Sequence, residues 1–293
     1  MAIRVTLLHN PQSGFNPVDK EDLLQALRKK GYQLTYVDTK SDDIDQFLQV
    51  PADLVVVAGG DGTVRKAGQR LLNKGVPIAV LPLGTANNIA TSMGIKGKPA
   101  EIIAALDLNR KKSFDVGLLE YDDIKIPFLE SAGFGLLPRL IREHSKDDTD
   151  TTNREEELGL ARKRFIEMIR KQNGTTCSLQ LDNQQLSGKF LTVQFMNICL
   201  SGPNILLAPQ ADPGDGLLQV VLVREEEREE FVKFVEDGPA AKHQAGMPLN
   251  LTAKKITVEW EGWRYHADDD TYEAGPPVKA TIRILPGALE VLV

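Results

Sequence analysis

The feature that most restricts the fold is an unbroken apolar run, residues 54–58, followed directly by the turn Gly59-Gly60-Asp61-Gly62-Thr63. A strand that is apolar at every position is buried on both faces, as in the parallel sheets of α/β proteins. Strand and helix patterns alternate around this run, which predicts an open, mostly parallel α/β sheet. The other strands are predicted at 3–9, 33–37 and 77–81, and the helices at 18–30 and after Gly62.

The pattern changes after about residue 112, where most segments become β-like and are separated by turn signals. We therefore predict two domains, an α/β domain at 1–113 and a mostly antiparallel β domain at 114–293. The second domain is expected to be a sandwich or barrel with a helical insertion between 136 and 171, and its last strand could return to the first domain. Its strands are predicted at 114–119, 127–132, 176–181, 190–198, 217–223, 256–260 and 278–285.

Composition excludes several classes of protein. The 293 residues are 42% hydrophobic and 26% charged, as in ordinary globular proteins, and the net charge of −6 argues against a nucleic-acid partner. No apolar run approaches the roughly 20 residues that span a bilayer. Because the first residues lead directly into a strand pattern, we expect a cytoplasmic protein whose membrane contact, if any, is peripheral. The two cysteines, Cys177 and Cys199, are expected to be thiols.

Three glycine-containing turns follow predicted strands of the first domain: Asn10-Pro11-Gln12-Ser13-Gly14, the turn at 59–63, and Leu83-Gly84-Thr85-Ala86-Asn87-Asn88. Open α/β sheets bind ligands at the carboxyl ends of their strands. Glycine allows a close approach to a ligand, and a helix N-terminus offers N–H groups to a phosphate. Each turn alone would be an ordinary loop, whereas three at one sheet edge predict a nucleotide site, with Asp61 placed to hold Mg²⁺.

In this order and spacing, the three turns resemble the diacylglycerol kinase catalytic family and its bacterial lipid kinase branch. That family shares its nucleotide-binding architecture with NAD kinases and sphingosine kinases. The resemblance continues in residues 208–217, which are similar to the family's Pro-x-Ala-x-x-x-Asp-Gly segment, and in residues 286–293, which are similar to its closing strand.

The resemblance implies a site for ATP in the first domain and one for a structural Mg²⁺ in the second. The ATP site would comprise Asn10, Pro11, Gln12, Ser13, Gly14, Thr39, Gly59, Gly60, Asp61, Gly62, Thr63, Val64, Arg65, Gly84, Thr85 and Asn87. The Mg²⁺ ligands would be Asp212, Asp215 and the carbonyl of Leu217. Without the resemblance, an Asp-Gly turn that holds no metal explains the second segment equally well.

Family members usually carry Asp-Gly-Glu near the C-terminus, where the glutamate is taken as the base. Here the segment is Ala267-Asp268-Asp269-Asp270-Thr271-Tyr272-Glu273, which places Asp270 at the glutamate position. We expect Asp270 to be the base and Glu273 to be the second candidate, while Asp268 is expected to lie in a solvated acidic loop. Asn88 is a further departure, because many relatives have aspartate there.

Two weaker features have ordinary explanations. The segment 155–171 is a basic amphipathic helix that could press onto anionic lipid, but we expect it to pack on its own domain. The four histidines show no metal-ligand spacing and are expected to be structural or exposed; they are His9, His144, His243 and His266.

The sequence therefore predicts an ATP- and Mg²⁺-dependent lipid kinase that transfers the γ-phosphate to the hydroxyl group of diacylglycerol or a related membrane-derived lipid. Asp270 would accept the hydroxyl proton, and Asp61 would organise the cation beside the phosphates. A phosphate-binding motif of the P-loop type does not occur. The alternatives are a kinase that acts on NAD or another soluble alcohol, and a nucleotide- or lipid-binding regulator without turnover.

Overall fold

The computed structural model describes residues 2–40, 44–45, 50–144, 151–238 and 247–293. It divides into two compact units. One unit comprises Met1–Phe114 together with Gly287–Val293, and the other comprises Asp115–Pro286.

The first unit is a parallel sheet with helices, as predicted. Its strands are β1 (Arg4–His9), β2 (Gln33–Asp38), β3 (Leu54–Gly59) and β4 (Ile78–Pro82), in the spatial order β4-β3-β1-β2. Its helices are α1 (Lys20–Lys29), α2 (Asp61–Leu71), α3 (Asn88–Ser92) and α4 (Pro99–Ala105). Beyond β4, Val291 pairs in parallel with Ile78. The C-terminal residues thus add a fifth strand to this sheet.

Burial and capping explain where these elements lie. All six residues of β3 are buried, because the strand is covered on both faces. Helix α1 begins at Lys20, two residues later than predicted, because the Asp19 side chain accepts a hydrogen bond from the N–H of Glu21 and caps it. The apolar face of α1, which includes Leu23 and Leu27, packs against the sheet.

The second unit is an antiparallel β structure with helices, also as predicted. Its main strand order is β14-β13-β7-β9-β8-β12-β15, with β10 beside β9 and β11, and β5 beside β6 and β15. The strands are β5 (Lys111–Tyr121), β6 (Ile124–Phe128), β7 (Ser131–Gly135), β8 (Thr175–Leu181), β9 (Gln184–Met196), β10 (Leu218–Arg224), β11 (Leu249–Ala253), β12 (Lys255–Trp260), β13 (Arg264–Ala267), β14 (Asp270–Glu273) and β15 (Val278–Leu292). Strands β5 and β15 each have one end in the first unit.

The sheet of the second unit buries both of its faces. Two consecutive residues of β10 show this, because successive side chains of a strand point to opposite faces. Val220 packs in the hydrophobic core formed by the strands, whereas Val221 packs against the helical layer. That layer consists of α5 (Leu136–His144), α6 (Arg154–Lys171) and α7 (Arg228–Asp237). Helix α6 packs on α7, with the rings of Phe165 and Phe231 6.1 Å apart. The prediction that this helix packs on its own domain is confirmed.

Several predicted boundaries were wrong. A single strand at 127–132 was predicted, but the strand is interrupted at Leu129 and Glu130. The N–H groups of these two residues donate to the Asp268 carboxylate instead of to a neighbouring strand. The hairpin of β13 and β14 was missed because its strands have only four residues each. Helix α7 was also missed. Residues 145–150 of the polar segment, and His243, lie outside the described residues.

Across the described parts of the chain, no helix is both long enough and apolar enough to cross a bilayer.

At two glycines of the second unit, substitution by alanine is expected to have opposite effects on the free energy of unfolding. A Cβ on Gly117 would overlap the ring of Phe128, its partner across β5 and β6. A Cβ on Gly159, within α6, would meet nothing within 4 Å. We expect Gly117→Ala to lower the free energy of unfolding by about 1–3 kcal/mol. Gly159→Ala should raise it by about 0.5–1 kcal/mol. Urea unfolding measures both, and equal stability of the two variants would contradict this packing.

Candidate functional site

The three glycine turns of the first unit lie together at the carboxyl edge of its sheet. The N–H of Asn10, after β1, donates to the Ala58 carbonyl of β3 at 2.9 Å. The N–H of Leu83, after β4, donates to the Gly59 carbonyl at 3.0 Å. Because parallel strands end at the same edge, three turns that are far apart in sequence form one surface.

Glycine is required where these turns touch. Gly14 has a φ of +70°. A Cβ at Gly14 would collide with the carbonyl oxygen of Leu83. Gly60 and Gly84 face each other so closely that a Cβ on Gly84 would lie 2.5 Å from the Gly60 Cα. The turns therefore form a cradle of bare backbone, and larger residues would fill it.

The cradle offers hydrogen-bond donors. Gly60 is the N-cap of α2, and it has no side chain to accept hydrogen bonds from the first turn of that helix. The space beside this turn is open, since a Cβ on Gly62 would meet nothing within 4 Å. Helix N-termini of this kind favour phosphate groups. The side chain of Ser13 lies beside the same turn, since its Oγ is 3.6 Å from a Cβ built on Gly60. This donor set fits a nucleotide phosphate.

The other residues predicted for ATP fall into two groups. Thr39 lies next to the first turn, because its N–H donates to the His9 carbonyl at 2.9 Å. Thr85 belongs to the third turn, while Pro11 and Gln12 belong to the first. By contrast, Thr63, Val64 and Arg65 are buried within α2.

Asp61 joins the second turn to the third. Its carboxylate accepts hydrogen bonds from the N–H groups of Asn88 and Ile89 at 2.9 and 3.0 Å, at the start of α3. Asn87 shapes the third turn from within, with a φ of +52° and with side-chain bonds to both the N–H and the carbonyl of Gly84. The role of Asp61 in holding Mg²⁺ stays a prediction.

The second unit contains an acidic loop at 212–217. Asp212 accepts the N–H of Gly214 at 3.1 Å, and Asp215 accepts the N–H of Leu217 at 2.8 Å. A third carboxylate, Asp115, accepts the N–H of Gly216 at 2.7 Å. Burial raises the pKa of Asp215, the Leu217 N–H opposes this rise, and the charges of Asp212 and Asp115 add to it.

This loop fits an oxygen-preferring cation in its chemistry but supplies few side-chain ligands. Among the described residues, no three His, Cys, Asp or Glu side chains converge as a metal site. A Mg²⁺ held by Asp212 and Asp215 would therefore depend on backbone carbonyls, such as that of Leu217, and on water. The metal assignment stays a prediction.

The predicted base and its neighbour Asp268 have opposite environments. Asp270, the first residue of β14, is exposed. Asp268 is buried, with a φ of +49°, and its carboxylate accepts the N–H groups of Leu129, Glu130 and Ser131 at 2.8–3.3 Å. The expectation of a solvated loop at Asp268 was wrong, because these three N–H groups compensate the cost of burying the charge.

Glu273, the second candidate for the base, is already engaged. Its Oε1 forms ion pairs with the guanidinium groups of Arg142 and Arg264. These contacts hold it at the far end of β14 from Asp270. The identity of the base stays a prediction.

His266 is buried directly behind the acidic turn. Its Nδ1 lies 2.9 Å from the Asp268 carbonyl, and its Nε2 lies 2.6 Å from Oε1 of Gln194. A neutral imidazole donates only one of these two bonds. Burial lowers the pKa of His266 to about 4, which favours the neutral ring. His9 is likewise buried, beside Tyr36, so the structural interpretation of these two histidines is confirmed.

Sequence reasoning missed Asp115 and Asn197. The side-chain nitrogen (Nδ2) of Asn197 donates to the backbone carbonyls of Asp115 and Leu129, both at 2.9 Å. The sequence signal that could have identified these residues is a carboxylate or an amide inside a strongly apolar predicted strand. Such a residue is buried only if the fold supplies it with hydrogen bonds.

Comparison with known proteins gives two family matches. Residues 4–119 match the family described as "Diacylglycerol kinase catalytic domain". Residues 156–293 match the "YegS C-terminal NAD kinase beta sandwich-like domain". The predicted fold class, an α/β domain followed by a mostly antiparallel β domain, is thereby confirmed.

Individual relatives cover most of the chain. A protein of Mycobacterium tuberculosis (strain H37Rv) named "Diacylglycerol kinase" is 26% identical over an alignment length of 305, which covers 99% of this chain and 94% of that protein. A protein of Pseudomonas aeruginosa (strain UCBPP-PA14) named "Probable lipid kinase YegS-like" is 30% identical over 224 residues, 74% of this chain and 70% of that protein. The crystal structure of a diacylglycerol kinase from Bacillus anthracis (strain Sterne) has a TM-score of 0.72 at 21% identity, over 99% of this chain and 96% of that chain. This last similarity establishes the fold.

The buried His266 predicts a pH dependence of stability. In the unfolded chain the ring titrates near 6.5, and in the folded protein near 4. Between these values the unfolded state binds more protons, so the free energy of unfolding falls as the pH falls through this range. From pH 7 to pH 5 we expect this group to contribute a loss of about 2 kcal/mol.

Urea unfolding of the wild type and His266→Gln at both pH values isolates this contribution. The glutamine variant should lose correspondingly less stability between pH 7 and pH 5, whatever its stability at pH 7. An equal loss in both proteins would show that His266 does not titrate in this way.

Proposed function

The chain belongs to the family of diacylglycerol kinases and YegS-like lipid kinases, and we propose that it is an ATP- and Mg²⁺-dependent lipid kinase. It transfers the γ-phosphate of ATP to the hydroxyl group of diacylglycerol or a related lipid, in the cytoplasm and with peripheral contact to the membrane. The observation that carries this proposal is the meeting of three glycine turns at one sheet edge.

The first unit binds the nucleotide in this proposal. Backbone N–H groups at the start of α2 donate to the phosphates, and Ser13 adds a hydroxyl donor. Phosphoryl transfer depends mainly on positioning and charge stabilisation, so a backbone cradle of this kind suffices without a P-loop lysine. The tight contact between Gly60 and Gly84 keeps the cradle in one shape before the ligand arrives.

Bound ATP supplies the transferable phosphoryl group, and Mg²⁺ offsets the negative charge of its phosphates. Asp61 would hold that cation while its carboxylate keeps the second and third turns together. Asp212, Asp215 and the Leu217 carbonyl would hold a second, structural cation, whose charge would offset the repulsion among the carboxylates of this loop.

Asp270 accepts the proton of the lipid hydroxyl. Its exposure at the start of β14 leaves it accessible to a substrate, unlike the buried Asp268. An aspartate reaches one methylene less far than the glutamate of most relatives. The backbone of the turn between β13 and β14 must therefore bring the carboxylate closer to the hydroxyl, because proton transfer requires a heavy-atom distance of about 2.6–3.2 Å.

Removal of the Asp270 carboxylate tests the catalytic assignment. We expect labelled γ-phosphate to pass from ATP with Mg²⁺ to one member of a dispersed lipid panel, and Asp270→Asn to lower kcat by about 10²–10⁴-fold. Asp123→Asn, which removes an exposed carboxylate from another hairpin of the same unit, should leave kcat unchanged.

The other outcomes separate the alternatives. ATP binding without transfer to any lipid would favour a regulator without turnover, whereas transfer to NAD or another soluble alcohol would favour a different kinase. Full activity of Asp270→Asn would exclude Asp270 as the base and direct attention to Glu273.

Two glycines with similar positive φ values test the nucleotide cradle. Gly14 and Gly31 have φ values of +70° and +79°, but a Cβ collides with Leu83 only at Gly14 and meets nothing within 4 Å at Gly31. Alanine at either position costs about 1–2 kcal/mol in backbone strain. Only Gly14→Ala should also weaken ATP binding, by about tenfold or more, which is at least about 1.4 kcal/mol.

Isothermal titration with ATP and urea unfolding of both variants give the comparison. If Gly14→Ala and Gly31→Ala bind ATP equally well, the first turn does not contact the nucleotide.

A further inference from the structure

The turn that carries Asp270 has only two residues, Asp268 and Asp269, because Ala267 and Asp270 already pair across β13 and β14. Its first residue, Asp268, has a φ of +49°. This conformation disfavours most side chains, and aspartate is among the few that adopt it. The geometry of the turn thus depends on what holds Asp268.

Asp268 is held from three sides. Its carboxylate accepts the N–H groups of Leu129, Glu130 and Ser131, and its own N–H donates to the Ser131 carbonyl at 2.7 Å. Its carbonyl oxygen lies 2.9 Å from Nδ1 of the buried His266. A buried carboxylate with three N–H donors has one preferred position, because any displacement would leave its charge and these donors without partners.

The segment that receives Asp268 is itself fixed. Asn197 donates its side-chain amide to the Leu129 carbonyl at 2.9 Å and its backbone N–H to the Glu130 carbonyl at 2.9 Å. The connection between β6 and β7 therefore lies between Asn197 on one side and the Asp268 carboxylate on the other. A rigid connection of this kind provides a firm base for the acidic turn.

From these contacts we propose that Asp268 is a positioning residue. Its buried carboxylate anchors the two-residue turn to residues 129–131 and thereby sets the place of the Asp270 carboxylate. This inference rests on the proposed function of Asp270 as the base. Asp268 does not touch the substrate and acts only through its neighbour.

Asp182 provides a matched control in the same unit. It also has a positive φ, +47°, and follows a strand, β8. Its carboxylate accepts the N–H groups of Lys254 and Lys255 at 3.1 and 3.2 Å, and its N–H donates to the Lys255 carbonyl at 3.1 Å. Asp182 anchors a turn as Asp268 does, but its turn carries no candidate base.

The first test compares the kinetics of Asp268→Asn and Asp182→Asn. Asparagine tolerates the positive φ but places an NH₂ group where one carboxylate oxygen accepts a backbone N–H, so each turn should loosen. We expect Asp268→Asn to lower kcat by about 10–100-fold, with KM for ATP and lipid changed much less, because displacement of a catalytic group by about 1 Å has this effect. Asp182→Asn should lower stability with kcat unchanged.

A double variant shows whether Asp268 acts through Asp270. In the Asp270→Asn background, Asp268→Asn should cause no further loss of kcat, because residues that act as a unit are not additive. A further loss as large as in the wild type would overturn the proposal and assign Asp268 a role independent of Asp270.

A second readout does not need activity. The ¹³C resonance of the Asp270 side-chain carboxyl should shift or broaden in Asp268→Asn and stay unchanged in Asp182→Asn. An unchanged resonance in Asp268→Asn would overturn the positioning role. If the wild type phosphorylates no lipid, the proposed function fails, while this measurement still decides whether Asp268 fixes Asp270.

Discussion

The burial of β3 on both faces is the constraint on which the first unit depends. A strand without a solvent face must have neighbours on both edges and cover on both sides, which a parallel sheet with helices provides. Parallel strands in turn release their chain ends at one edge. The hydrogen bonds from Asn10 to Ala58 and from Leu83 to Gly59 follow from this arrangement, and they bring together turns that lie about 70 residues apart.

The second unit holds charged groups near a largely apolar core. Two of its buried carboxylates accept backbone N–H groups. Asp268 accepts three N–H groups, and Asp115 accepts the N–H of Gly216. The ion pairs of Glu273, by contrast, lie at the surface.

The sequence was sufficient to predict the fold class, the positions of the four strands of the first unit along the chain and the three turns, because these depend on apolar periodicity and on glycine. It was insufficient for Asp268. Three consecutive carboxylates look alike in sequence, and only the backbone of residues 129–131, more than 130 positions away, distinguishes the buried one from the exposed ones. The same limitation explains the strand wrongly predicted across Leu129 and Glu130. Their N–H groups turn away from the sheet because a distant side chain receives them.

Strand β15 has a consequence for the order in which the chain acquires its structure. Its end pairs with β4, Leu292 enters the core of the first unit, and the N–H of Asn73 donates to the Ala288 carbonyl. During synthesis, β1 to β4 leave the ribosome first but lack their fifth strand until the whole second unit has been translated. Contacts of such long sequence separation form slowly. The edge of β4 therefore stays open throughout elongation, and an open edge of this kind is where another strand can pair.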